Sequence, residues 1–270
     1  MEVISSELQA KETLRNNHDI VLVPTMGNLH KGHISLIGEA KRLGKTIVAS
    51  IFINPLQFGK NEDFDNYPRT LNVDLKKLEL AGCDYVFNPS GNILQNIMEH
   101  KASDLSNKMC GKTRPGHFDG VVTIVGKLFD IIKPQHAVFG LKDYQQFLII
   151  KKFVTQNHLD IKITGGPIIR ERDGLAMSSR NNLLTPEERL IAPIIYKKLL
   201  WIKDNIKKLP KESLIKDSFN FFSSKGLMAE YLTICDPETL AEANNYDGSV
   251  LIAIAIKLGN VRLIDNILID

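Results

Sequence analysis

Up to about residue 180, short apolar runs rich in β-branched residues alternate with longer stretches whose apolar positions recur every three or four residues. The short runs read as buried strands and the longer ones as amphipathic helices, the succession expected of parallel βα units. The expected strands are "DIVLVPT" (19–25), "TIVASIFI" (46–53), "DYVFNP" (84–89), "HAVFG" (136–140) and "DIKITGGPIIR" (160–170), the last running into a loop. The expected helices are "HISLIGEAKRL" (33–43), "NVDLKKLELAG" (72–82, with Gly82 as C-cap), "DGVVTIVGKLFDIIK" (119–133) and "DYQQFLIIKKFV" (143–154). Five strands joined by helical crossovers specify an α/β fold with a doubly wound, Rossmann-like parallel sheet. Ligands of such sheets sit beyond the carboxyl ends of the strands.

Beyond residue 180 the pattern changes. "TPEERLIAPIIYKKLLWIKDNIKK" (185–208) reads as one long helix, with Thr185 as cap, Pro186 at the first helical position and two Glu in the first turn. "KESLIKDSFNFFSSKG" (211–226) predicts a second helix, and "AEYLTICD" (229–236) and "SVLIAIAIKL" (249–258) read as strands ahead of "NVRLIDNILI". Helices followed by strands suggest a smaller α+β domain. The expected division is residues 1–175 for the doubly wound domain and 176–270 for a smaller C-terminal domain covering the site.

Composition narrows the field modestly. A chain of 270 residues with a net charge of +3 gives no electrostatic case for a nucleic-acid or membrane partner, though local basic clusters suit small anions such as ATP. Cys83, Cys110 and Cys235 form no CxxC pair, which favours a reduced interior. The amino terminus lacks the apolar core of a signal peptide, and the apolar runs are strand-length, short of the roughly 20 residues that span a bilayer. A cytoplasmic location is expected.

Five stretches could carry chemistry. In "VPTMGNLHKGH" (23–33) a strand opens through Thr25, Met26, Gly27 and Asn28 towards a helix beginning near His33. The loop N–H groups and the helix N-terminus would form an anion site. Three-residue spacing puts His30 and His33 on one side, Gly32 would let a ligand approach closely, and imidazolium would stabilise charge on an α-phosphate. Ordinary surface histidines or a zinc pair are the alternatives, the latter lacking matched Cys or carboxylate partners. Asn54-Pro55 stops the second strand at the same edge, and Gln57 beyond it offers a neutral amide suited to a hydroxy acid. The loop "GKTRPGHFDGVVT" (111–123) could bring Arg114 to an anion or be an ordinary mobile loop. In "FGLKDYQQ" (139–146) Lys142 offers a point charge for phosphate and Gln146 lies one turn on. In "GLAMSSRNNLLT" (174–185) Ser178, Ser179 and Arg180 could wrap triphosphate oxygens. No GxxxxGK[ST] or GxGxxG loop is present.

"PTMGNLHKGH", "SIFINPLQFGKNEDFDNYPRTL", "RPGHFDGVVTIVGKLF", "FGLKDYQQ", "DGLAMSSRN" and "GNVRLIDN" together resemble the pantoate-β-alanine ligases of the nucleotidyltransferase superfamily, in family order and across nearly the whole chain. The HxGH element and the Ser-rich loop also resemble the two signature motifs of class I aminoacyl-tRNA synthetases. The resemblance implies ATP-dependent condensation of pantoate with β-alanine through a pantoyl adenylate, with Mg²⁺ on the triphosphate, and a homodimer. Residues 1–175 would then bind nucleotide and pantoate. It further implies His33, His30, Lys142 and Arg180 as catalytic residues, His33 as proton donor. The implied ATP site comprises Met26, Gly27, Asn28, Leu29, His30, Lys31, Gly32 and His33, then Gly140, Leu141, Lys142 and Asp143, and finally Ile169, Met177, Ser178, Ser179 and Arg180. Gln57 and Gln146 would hold pantoate, Gln57 also bordering β-alanine. Leu141 stands where the family usually shows a Glu or another polar residue, and the 90–112 segment is shorter than usual. The runner-up is a nucleotidyltransferase adenylating a phosphate acceptor, which would call for extra Arg or Lys where this chain has Gln57 and Gln146.

Overall fold

Strand and helix alternate through β1 (Glu2–Ile4), α1 (Glu7–Leu14), β2 (Ile20–Thr25), α2 (Lys31–Leu43), β3 (Thr46–Ile51), α3 (Leu71–Ala81) and β4 (Tyr85–Phe87). The succession continues with α4 (Met109–Thr113), α5 (His117–Ile132), β5 (His136–Gly140), α6 (Tyr144–Gln156) and β6 (Lys162–Gly166). The computed structural model describes residues 1–60, 62–243 and 248–270. Its larger sheet has six parallel strands in the order β1-β4-β3-β2-β5-β6.

Strand periodicity explains why both sheet faces are covered. Ile20 and Leu22 of β2 join one core, with Phe87, Phe139 and the apolar faces of α1, α5 and α6. Val21 and Val23, one residue out of step, join a second core with Ala49, Val86, Val138 and the faces of α2 and α3. The chain leaves β2 towards β3 on one side and later returns to place β5 on the other. The carboxyl ends of β2 and β5 therefore flank the topological switch point, where an open α/β sheet has its crevice.

β1 and α1 were not expected. Three residues are too few to show a period of two, and β1 is an edge strand held by pairing with β4. α1 buries only Ala10 and Leu14 and starts at Ser6, whose hydroxyl accepts the Gln9 N–H. The strand expected over 160–170 is confined to β6, and residues 169–177 then fold into a hairpin, with Met177 N–H donating to Ile169 O at 2.9 Å.

The remainder comprises α7 (Pro186–Ile191), α8 (Ile194–Asn205), α9 (Lys211–Ser224), β7 (Leu227–Cys235), β8 (Val250–Leu258) and β9 (Val261–Ile269). Thr185 caps α7 in a reciprocal pair with Glu188. The single helix expected over 185–208 is instead two, divided at Ala192 and Pro193, since proline has no N–H to continue the ladder. β7, β8 and β9 form an antiparallel sheet in chain order, its apolar face packed on α8 and α9 through Leu199, Ile202, Leu214 and Phe222.

Phe222 has no solvent exposure. Phe222→Ala should lower stability in urea denaturation by about 3–5 kcal/mol, the usual cost of emptying a buried aromatic site. A loss under about 1 kcal/mol would show that this core is not packed as described.

Candidate active site

The loop between β2 and α2 turns through two left-handed residues, Gly27 (φ +83°) and Asn28 (φ +50°). The turn is held from outside the loop. Asp74, on α3 and fully buried, accepts the N–H groups of Asn28 and Leu29 at 2.8 Å each and the Thr70 hydroxyl at 2.9 Å. Gly27 N–H goes to the Thr25 hydroxyl at 3.3 Å.

His30 is the N-cap of α2, which begins at Lys31 rather than near His33. Its Nδ1 accepts the Gly32 N–H at 3.1 Å, while His33 Nδ1 accepts the N–H of His30 at 3.3 Å. A side-chain acceptor one turn in reaches back to the cap, as in a capping box. Gly32 is required for this: a Cβ there would sit 2.8 Å from His30 Cε1. The space is needed first by the cap's own ring.

The loop N–H groups named above therefore end on side chains of the protein. The anion cradle expected of this loop is offered by side chains instead. A neutral imidazole accepting at Nδ1 carries its proton on Nε2. Both rings thus have Nε2 as their donor, with ring centroids 4.1 Å apart.

Beyond the strand ends lies a cavity of about 230 Å³, continuous with a cleft of about 710 Å³ through shared walls at Lys142, Asp143, Gln146, Ser178 and Arg180. Met26, His30, Gly32, His33, Gln57, Gly140, Lys142, Asp143, Gln146, Ile169, Met177, Ser178, Ser179 and Arg180 all line the cavity. Its apolar lining includes Phe52, Val121, Ile124, Val125, Leu128 and Phe139. Five residues of the expected nucleotide site lie off this wall. Gly27 faces a separate cavity behind the loop, Asn28 is tied to Ser179, Leu29 is core and Lys31 is exposed. Leu141 lies over Gly165, where a Cβ would be 2.5 Å from Leu141 Cδ2.

Electrostatics correct the expectation of imidazolium. Burial, with repulsion from its His33 neighbour and Lys142, depresses His30 to about 3. Burial, then Lys142 and Lys77, depresses His33 to about 4. At neutral pH both rings are uncharged N–H donors, and the cations of the wall are Lys142, Arg114 and Arg180.

The arginines are engaged. Arg114 donates to Glu62 from Nε and Nη2 at 2.6 Å each and from Nη1 to His117 Nε2 at 2.9 Å, and the same Nη2 also reaches Gln57 O at 3.3 Å. It braces the loop that carries Gln57 and has little left for an anion. Burial works against ionising Glu62, yet the Arg114 hydrogen bonds and charge win and hold it at about 2. Arg180 donates to both oxygens of Asp63 at 2.9 and 2.8 Å.

The amide of Gln57 is oriented by a residue first read only as a strand stop. Asn54, 1% exposed, donates to Gln57 Oε1 at 3.1 Å and to Gly120 O at 3.0 Å. That leaves Gln57 Nε2 next to Met26 Sδ at 3.2 Å. His117 donates from Nδ1 to Gln57 O at 2.7 Å. Asp74, Asn54 and His117 were missed as site residues. Only the Asn-Pro and Pro-Gly-His turn signals pointed near two of them.

Among the described residues no group of three or more His, Cys, Asp or Glu could hold a metal ion, and no helix is long and apolar enough to cross a membrane.

Residues 2–268 match the family model described as pantoate-beta-alanine ligase. A pantothenate synthetase of Acinetobacter baumannii is 44% identical over 253 residues, covering 92% of this chain and 89% of that protein. The crystal structure of pantothenate synthetase from Thermus thermophilus superposes with a TM-score of 0.93 at 35% identity, covering 99% of both chains. The pantoate-beta-alanine ligase of Francisella tularensis, complexed with beta-gamma ATP and beta-alanine, superposes at 0.84 and 35% identity, covering 99% of this chain and 97% of that one.

The histidines make folding pH-dependent with a defined sign. His33 binds a proton near 6.5 when unfolded and only near 4 when folded, so its contribution is complete above 6.5 and is lost as pH falls towards 4. Going from about pH 7 to about pH 5 should cost about 1–2 kcal/mol from this ring. Urea denaturation of wild type and His33→Gln at both pH values checks it: the variant should lose less stability, and equal losses would mean His33 is not held neutral.

Proposed function

The chain belongs to the pantoate-β-alanine ligase family, and from that membership we propose that it condenses pantoate with β-alanine, using ATP, to give pantothenate, AMP and pyrophosphate. One observation carries the residue assignments: two uncharged imidazole donors, an ammonium, a Ser-Ser-Arg turn and the carboxamides of Gln57 and Gln146 line a single cavity together with several apolar side chains. An aliphatic hydroxy acid suits the apolar side chains, with Gln57 and Gln146 for its polar groups. A polyphosphate suits the imidazoles, Lys142 and the Ser-Ser-Arg turn.

In the first step a pantoate carboxylate oxygen bonds to the α-phosphorus of ATP while the bond to the bridging oxygen breaks and pyrophosphate leaves. The acid becomes a mixed anhydride. In the second step the β-alanine nitrogen, having lost a proton, bonds to the acyl carbon and AMP leaves. Holding both reactants in line supplies roughly 7–11 kcal/mol of the barrier. His30 and His33 donate from Nε2 to oxygens of the reacting phosphate, and Lys142 balances its charge. Uncharged rings suit this role, since they donate in a water-poor pocket without carrying a charge that burial penalises. Ser178, Ser179 and Arg180 hold the outer phosphates once Asp63 yields the guanidinium.

Mg²⁺ would enter with the nucleotide, and Asp143, beside Lys142 on the cavity wall, would offer it a carboxylate. There it would neutralise phosphate charge. The chain is further proposed to divide near residue 175, with the C-terminal part covering the site, and to act as a cytoplasmic homodimer. Three buried, unpaired cysteines support a reduced compartment.

Pantoate-dependent exchange of labelled pyrophosphate into ATP, without β-alanine, tests the adenylation. Wild type should exchange, and folded protein that does not would overturn the proposal. His33→Ala should fold yet exchange about 10²–10³-fold more slowly; undiminished exchange would reject its role as donor.

A further inference from the structure

Lys142 sits on a single turn between β5 and α6, and Asp143 at the start of α6 makes no side-chain capping bond. The turn is held from far along the chain. Asn266, on β9 and 5% exposed, donates both hydrogens of its amide, to Leu141 O at 2.9 Å and to Lys142 O at 3.0 Å. The residue before it grips the other lip of the cleft. Asp265 takes two bonds from Arg170, at 2.7 and 2.9 Å, and accepts the Asn266 N–H at 2.8 Å. Arg170 also donates to Gly174 O at 3.1 Å and lies 3.6 Å over the Tyr196 ring, so it is fixed within the hairpin that leads to Ser178.

We propose that Asn266 is a positioning residue for Lys142, and that consecutive residues of β9 thereby set the distance between the two nucleotide-facing lips. A planar amide with two fixed hydrogens defines the turn's height and rotation together. A hydroxyl could supply one of those bonds and an apolar residue neither. Losing them leaves two part-buried carbonyls short of donors and lets the Lys142 backbone drift, which weakens interactions with phosphate while the pantoate amides on β3's loop and α6 stay in place. The inference rests on the ligase reading above, because it takes Lys142 as a phosphate contact.

The experiment compares pyrophosphate exchange in wild type, Asn266→Ala, Asn266→Ser and Lys142→Ala, each checked for folding by circular dichroism. Asn266→Ala should exchange at least about tenfold more slowly, with KM for ATP raised and KM for pantoate unchanged, and Asn266→Ser should fall between. In the Lys142→Ala background, adding Asn266→Ala should cost less than about twofold, because the group it positions is already gone. Exchange by folded Asn266→Ala close to wild type, a rise in the pantoate KM instead, or multiplying losses in the double variant would overturn the proposal. So would failure of both Asn266 variants to fold, which would make the residue one of stability alone. A wild type without exchange would overturn the ligase reading itself, an outcome distinct from all of these.

Discussion

Two backbone N–H groups ending on the solvent-free carboxylate of Asp74 are the constraint on which the rest of the site depends. Left-handed backbone at a non-glycine residue such as Asn28 is unfavourable by itself and persists where surrounding structure over-determines it. α3 supplies that determination from across the sheet edge. With the loop so pinned, His30 falls at the cap of α2 and His33 one turn in, where each ring is locked by a backbone donor. The carboxylate touches no wall of the main cavity, yet the direction of both Nε2 atoms follows from it.

Because the loop spends its N–H groups internally, the chemistry passes to side chains. This differs from a phosphate loop, where main-chain N–H groups face the ligand directly. Here the imidazoles are kept uncharged by burial and by Lys142, and the positive charge of the wall is on Lys142, Arg114 and Arg180. Fixed, uncharged donors need little rearrangement when charge builds beside them. The apolar side chains of the same cavity lower the polarity of its lining.

Much of this was legible in the residues. The β2-to-β6 alternation could be read because the strands are short apolar runs between turn signals, most fully buried and β-branched in β2 and β3, and many of the wall residues lie just past those runs. β1 was illegible for want of length, and the division of the 185–208 helix was carried by Pro193, which the apolar pattern outweighed. The expectation of charged histidines erred because burial is a property of the fold: no spacing in "HKGH" reveals that Lys142 and Lys77 converge on it. Asp74 and Asn266 were hidden for a related reason. Each acts over a separation of tens to more than a hundred residues, on backbone atoms that carry no sequence signature. Asn54 was visible only as a strand stop, and its hold on Gln57 required the geometry.

Glu62 and Asp63, neighbours on one loop, hold Arg114 and Arg180 respectively. The pocket thus brings its own counter-ions. A polyanion reaching Arg180 trades places with Asp63, so its affinity is the difference between two ion pairs and not the full attraction of a bare cation. Such an exchange mutes the pull on stray phosphates and leaves discrimination to shape. It also gives the departing product a competitor already tethered beside it.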